Sequence, residues 1–128
     1  MSEGRKKASY VGAPAVFALE QCCQQINDAF GDFGCYLVGS AMERPDWRDV
    51  DVRFIMSDEE FSKMFPNCTA EGQWESDPRW LLFTVSISGW LSKVTGLPVD
   101  FQIQPQTHAN ERHKGQRNAV GLRIAKPK

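Results

Sequence analysis

Three aspartates carry the chemistry that this sequence could perform. Asp49 and Asp51 flank a single valine, and Asp100 lies far downstream. Side chains on a β-strand alternate between the two faces of the sheet. Over Asp49 to Met56, Asp49, Asp51 and Arg53 therefore share one face, while Val50, Val52 and Phe54 share the other. Between Val99 and Gln104, Asp100, Gln102 and Gln104 oppose Val99, Phe101 and Ile103 in the same way. If these strands are neighbours, their apolar faces coincide and three carboxylates gather opposite. Crowded carboxylates raise one another's cost of ionisation, and a divalent cation removes that cost. Their hard oxygens suit magnesium or manganese, and magnesium keeps waters and shares itself with substrate phosphates. Two such ions can clamp the attacking and leaving oxygens of an in-line displacement. Arg53 offers the metal-free alternative, since a buried Asp–Arg pair is also a structural device.

Upstream, Cys35-Tyr-Leu-Val-Gly39 reads as a short buried strand, and Ser40 follows it. The order of apolar strand, Gly39-Ser40, spacer, Asp49-Val50-Asp51 and a later Asp100 in Pro98-Val-Asp-Phe-Gln resembles one family. It is that of the nucleotidyltransferases of the polymerase-beta superfamily, above all their minimal bacterial type. The resemblance runs from about Pro14 to Gln104. It implies a metal-dependent enzyme that moves a nucleoside monophosphate from a nucleoside triphosphate to a hydroxyl acceptor. Asp49 and Asp51 would hold magnesium or manganese, and Asp100 would help bind one ion and deprotonate the acceptor. Gly39 and Ser40 would meet the terminal phosphates, glycine by close backbone approach and the helix start by its free N–H groups. Arg44, Arg53, Lys114 and Arg117 complete the candidate nucleotide-binding set, and Arg48 lies in the same spacer as Arg44. The resemblance does not name the hydroxyl acceptor, for which a partner protein and an RNA are both candidates. Two departures favour an alternative, a catalytically silent module that binds a nucleotide or a partner. The spacer from Ala41 to Arg48 is short and contains Pro45 and Trp47, and no helical acceptor domain follows Gln104.

The elements that must position these groups are legible in outline. Leu19, Cys23, Ile26 and Phe30 recur at helical spacing, with Pro14 suited to the first turn and Gly31 to the stop. Ser57 with Glu60 three residues on starts a second helix, ending near Phe65. Asn67 to Asp77 reads as a polar loop, and Asp77-Pro78 as a cap and first turn. From Arg79 to Thr95, Phe83, Val85 and Ile87 alternate, whereas Trp80, Phe83, Ile87, Trp90 and Val94 follow a helical face. The segment is too long for an ordinary strand, so a helix is expected. His108 to Arg117 reads as a basic loop, and Val120, Leu122 and Ile124 suggest a strand near the sheet edge. The sum is a small α/β (α+β) fold, a mixed sheet of about four strands with helices on one face.

The 128 residues suffice for one domain with a real core, and residues 1–13 read as a mobile basic arm. No apolar signal region or membrane-length run is present, and the cysteines follow neither disulfide nor zinc spacing. A cytoplasmic protein with free thiols is the expectation. The net charge of −1 conceals acids crowded between Glu43 and Asp77 and a basic stretch after Asp100. Asp46 and Asp58 read as loop and cap residues, and neither His108 nor His113 has the spacing of a general base. Trp80 and Trp90 read as core, while Trp47 and Trp74 sit in polar surroundings where an indole could stack on a base.

Overall fold

The two alternating segments do become neighbouring strands. The computed structural model describes residues 9–31, 33–68, 74, 77–115 and 117–121. Its sheet runs in the order β3-β2-β1-β4, formed by β1 (Gly34–Val38), β2 (Val50–Met56), β3 (Val99–Pro105) and β4 (Asn118–Val120). β2 and β3 are parallel, and β1 is antiparallel to both β2 and β4, so the sheet is mixed. A parallel pair requires a long crossover. Here it contains α2 (Asp58–Met64) and α3 (Pro78–Thr95), while α1 (Ala15–Phe30) precedes the sheet.

Local chemistry sets the helix ends. Ser57 Oγ accepts from the Glu60 N–H at 3.2 Å, half of a capping box. Asp77 Oδ1 accepts from the N–H groups of Arg79 and Trp80, with Pro78 in the first turn. Gly96 ends α3 in the left-handed conformation. α1 and α3 pack on the apolar sheet face. Leu19, Cys23 and Ile26 of α1 and Trp80 and Leu91 of α3 are buried with Leu37, Val52, Phe54, Phe101 and Ile103. Asn27 ties α1 to two strands, receiving the Cys35 N–H and donating to the carbonyls of Val120 and Gly121.

β3 is an edge strand, and α3 seals it. Ser88 Oγ accepts the Phe101 N–H at 3.0 Å and donates to the Phe101 carbonyl. Ser92 Oγ treats Val99 in the same way, and the Trp80 indole donates to the Ile103 carbonyl at 2.9 Å. Side chains from one helix thus replace a fifth strand, which leaves no unpaired template at these positions.

Several expectations are corrected. Trp90 and Val94 are exposed at 37% and 51%, because the seam against the sheet follows Trp80, Thr84, Ile87 and Leu91 instead. Trp74 is buried between Phe61 and Trp80 rather than open on a loop. Trp47 is half-buried and donates its indole N–H to the Tyr10 carbonyl. The expected basic loop contains a helix, α4 (Gln106–Arg112), anchored where Asp58 accepts from both the N–H and the hydroxyl of Thr107. Of the basic arm, residues 9–13 lie against the domain, with Val11 buried and the Tyr10 N–H on the Ala41 carbonyl. Residues 1–8, and Leu122 and Ile124 of the fourth strand, lie outside the described residues. Cys22, Cys23 and Cys35 are buried free thiols. Among the described residues no helix is long and apolar enough to cross a membrane.

Ser88→Ala would strand the N–H and carbonyl of Phe101 at the helix–strand seam. The expected loss is about 1–3 kcal/mol by urea denaturation. Ser86→Ala on the exposed side should change stability by less than about 0.5 kcal/mol.

Candidate functional site

The register of the parallel pair decides where the carboxylates fall. Asp51 stands directly opposite Asp100, and Arg53 opposite Gln102, all on the face away from α1 and α3. Asp49 lies one residue before β2 begins and is exposed. It is nonetheless close enough to raise the cost of charging Asp51. Arg53 lies between the strands and is only 8% exposed. Its Nη2 is 3.3 Å from Asp100 Oδ2 and 3.8 Å from Asp51 Oδ1, and its Nη1 donates to the carbonyls of Val52 and Asp100.

The Gly39-Ser40 turn closes one side of this group. β1 ends at Val38, whose partner across the ladder is Asp51, so the chain turns directly above that carboxylate. Gly39 has φ +79°, and a Cβ there would collide with the Asp51 carboxyl group. Only glycine permits both the backbone angle and the approach. Ser40–Met42 then forms a single 3-10 turn, with Gly39 exposed and Ser40 half-buried.

Burial pushes the Asp51 carboxyl above its ordinary value, and Asp100 and Asp49 add to the shift. Arg53 opposes it without cancelling it. Asp51 is therefore a carboxylate short of positive charge. Among the described residues no three His, Cys, Asp or Glu side chains form a group that could hold a metal ion. The donor set is a pair, Asp51 and Asp100, with exposed Asp49 on its flank. Magnesium is usually bound by one or two carboxylates plus phosphates and water, so this donor chemistry fits it.

The other candidate residues are dispersed. Arg44 is exposed and pairs with Asp46 at 3.3 Å, and Arg48 and Lys114 are also exposed. Arg117 lies further along the open face, its guanidinium carbon 5.5 Å from the centre of the Tyr36 ring. In the sequence His113 is one residue of a basic loop, without the spacing of a general base. Its Nε2 is 3.0 Å from Gln104 Oε1, which places it over the open face. Burial and then the positive charge of Arg53 and Arg117 push it down to about 4. Following the face-sharing of Gln102 and Gln104 to whatever cap ends the next helix would have found it. His108 instead packs edge-on against Trp74.

No family model, curated protein or solved structure matches this chain.

Two titrations of opposite sign follow. Asp51 binds its proton more tightly folded than unfolded, so its contribution to stability is lost as pH rises through its folded value. Asp51→Asn should thus raise the melting temperature at neutral pH and give no gain in acid. His113 binds its proton less tightly when folded, so stability should fall between about pH 6.5 and about pH 4. Its NMR midpoint is expected near 4, and His113→Gln should flatten the stability profile over that window.

Proposed function

We propose that this protein transfers a nucleoside monophosphate from a nucleoside triphosphate to a hydroxyl acceptor. One observation supports this reading above all others. Asp51 and Asp100 stand side by side on an open face, with a glycine-serine turn packed directly on Asp51. A magnesium or manganese ion held by these carboxylates would neutralise and orient the phosphates of the donor. Asp51 and Asp100 would provide its protein oxygens, and Asp49 would add negative charge from the exposed flank. Asp100, the more exposed of the pair, would accept the proton of the attacking hydroxyl. The acceptor oxygen would bond to the α-phosphorus as the bond to the bridging oxygen breaks, and pyrophosphate would leave. Gly39 allows the backbone close to the departing phosphates, and Ser40 offers a hydroxyl donor beside it. Arg53 holds the two strands' carboxylates at a fixed separation.

A second reading is favoured by the same arginine. Arg53 already partners both Asp51 and Asp100, so the face is partly neutralised by the chain itself. That arrangement also suits a silent member of such a fold that binds a nucleotide or a partner and transfers nothing.

Asp49 is exposed, so Asp49→Ala should leave stability within about 0.5 kcal/mol of wild type. Calorimetric titration with a nucleoside triphosphate and magnesium is expected to show binding that Asp49→Ala weakens and Asp51→Asn abolishes. Equal affinity in wild type and Asp51→Asn would reject the metal-site reading. Incubation with labelled nucleoside triphosphates, magnesium and cell lysate separates transfer from binding alone. Covalent label on a protein, an RNA or a small molecule is the expected result, and its absence despite tight binding selects the silent module.

A further inference from the structure

The helix that seals β3 turns an apolar side to water. Leu81, Leu82, Val85, Trp90 and Val94 of α3 are between 37% and 65% exposed. Together they leave roughly 450 Å² of apolar surface in solvent, as much as the largest patch on a typical monomer, and such patches are often functional.

Gly89 shows what kind of surface meets this patch. It lies within α3 and is exposed, at a place where glycine weakens a helix relative to alanine. A Cβ there would meet nothing within 4 Å, so no contact among the described residues requires its absence. The neighbouring Ser88 and Ser92 are accounted for by their bonds to β3, whereas Gly89 serves nothing inside the molecule. A bare stretch of backbone on an apolar helix admits a second helix at short range, because the side chains at a crossing set the distance between axes.

Charge and area then select the partner. α3 carries no acidic residue, and its charges are Arg79 and Lys93, both exposed. A second copy turned end for end brings backbone to backbone at Gly89 and apolar residues together on both sides of the crossing. Lys93 lies four residues beyond Gly89, so the two lysines stand roughly 12 Å apart, outside the screening length of about 8 Å. A parallel pair would set them side by side. A standard interface takes about 800 Å² from each partner and is about 65% apolar in homodimers, which requires about 500 Å² of apolar surface. The patch on α3 comes close to that figure.

We propose that α3 is the contact between two copies of this chain, paired antiparallel about a two-fold axis with the helices crossing at Gly89. Asp51 and Asp100 lie on the opposite face of the sheet, so the pair presents both carboxylate sites outward. The dimer does not rest on nucleotidyl transfer.

Sedimentation equilibrium of the full chain from about 1 μM to about 500 μM is expected to show a dimer with a dissociation constant of about 10 μM or tighter. Indole emission should move to shorter wavelength as the dimer forms, a shift that Trp90→Phe removes. Gly89→Gln has open space in the single molecule, so its melting by circular dichroism at low concentration should not fall below that of wild type. Its dissociation constant should nonetheless rise at least about tenfold. Leu82→Gln should weaken association in the same direction, and serves if the glycine variant does not fold. A chain that stays monomeric over the whole range overturns the proposal. Shielded Trp90 emission in that monomer would assign the face to another segment of the same chain, and solvent-exposed emission would leave it to a different protein. A dimer that Gly89→Gln does not weaken also overturns the proposal, and moves the contact to another surface such as the border at β4.

Discussion

The in-register parallel pairing of β2 with β3 is the constraint on which this molecule depends. A shift of one residue would turn every side chain of one strand to the opposite face. Val50, Val52 and Phe54 would leave the core, and Asp51 would enter it. Hydrophobic burial on one face therefore fixes the electrostatics of the other. Asp51 meets Asp100 because Val52 must meet Phe101. Arg53 adds to the same register from the polar side, since its guanidinium reaches a carboxylate on each strand and the Asp100 carbonyl. Its charge is most valuable here because both acids lie in a partly desolvated environment.

Around that pair, polar side chains perform work usually assigned to backbone. Ser88, Ser92 and Trp80 complete the hydrogen bonding of β3, and Asn27 joins α1 to β1 and β4. Each of these groups is held among apolar neighbours, where a missing partner costs more than at the surface. At Gly121, φ +73° and contact with the Cys23–Gln24 backbone leave no room for a Cβ, so β4 can end directly against α1. The glycine at position 39 has the matching role at the site, where the turn and a carboxylate share the same space.

How much was legible in the sequence follows from which contacts were local. The alternation over Val50–Met56 and Val99–Pro105 located the strands and the shared face of Asp51 and Asp100. Ser57, Asp77 and Gly96 marked helix ends because capping is settled within a turn. The inner face of α3 was misread for an instructive reason. Counting apolar residues alone selects Trp90 and Val94, yet the buried seam includes Thr84 and is bordered by serines that bind an edge strand. Trp74 stands in a polar stretch, and the distant Phe61, Trp80 and His108 pack against it inside. α4 lacks an apolar period, although Gln106 to Arg112 contains no glycine or proline to interrupt a helix. The meeting of Tyr36, Asn110 and Arg117 depends on the placement of that helix, which no local pattern encodes.

The seal that α3 places on β3 has a consequence for how copies of this chain can associate. Backbone pairing between molecules needs a free border, and a sheet with two free borders can add neighbours without limit. Here one border is closed by hydroxyls and an indole, so strand addition is confined at most to the β4 side. Two molecules joined there across a two-fold axis would each use up their remaining border. Growth by that route stops at a pair, limited by topology rather than by surface charge.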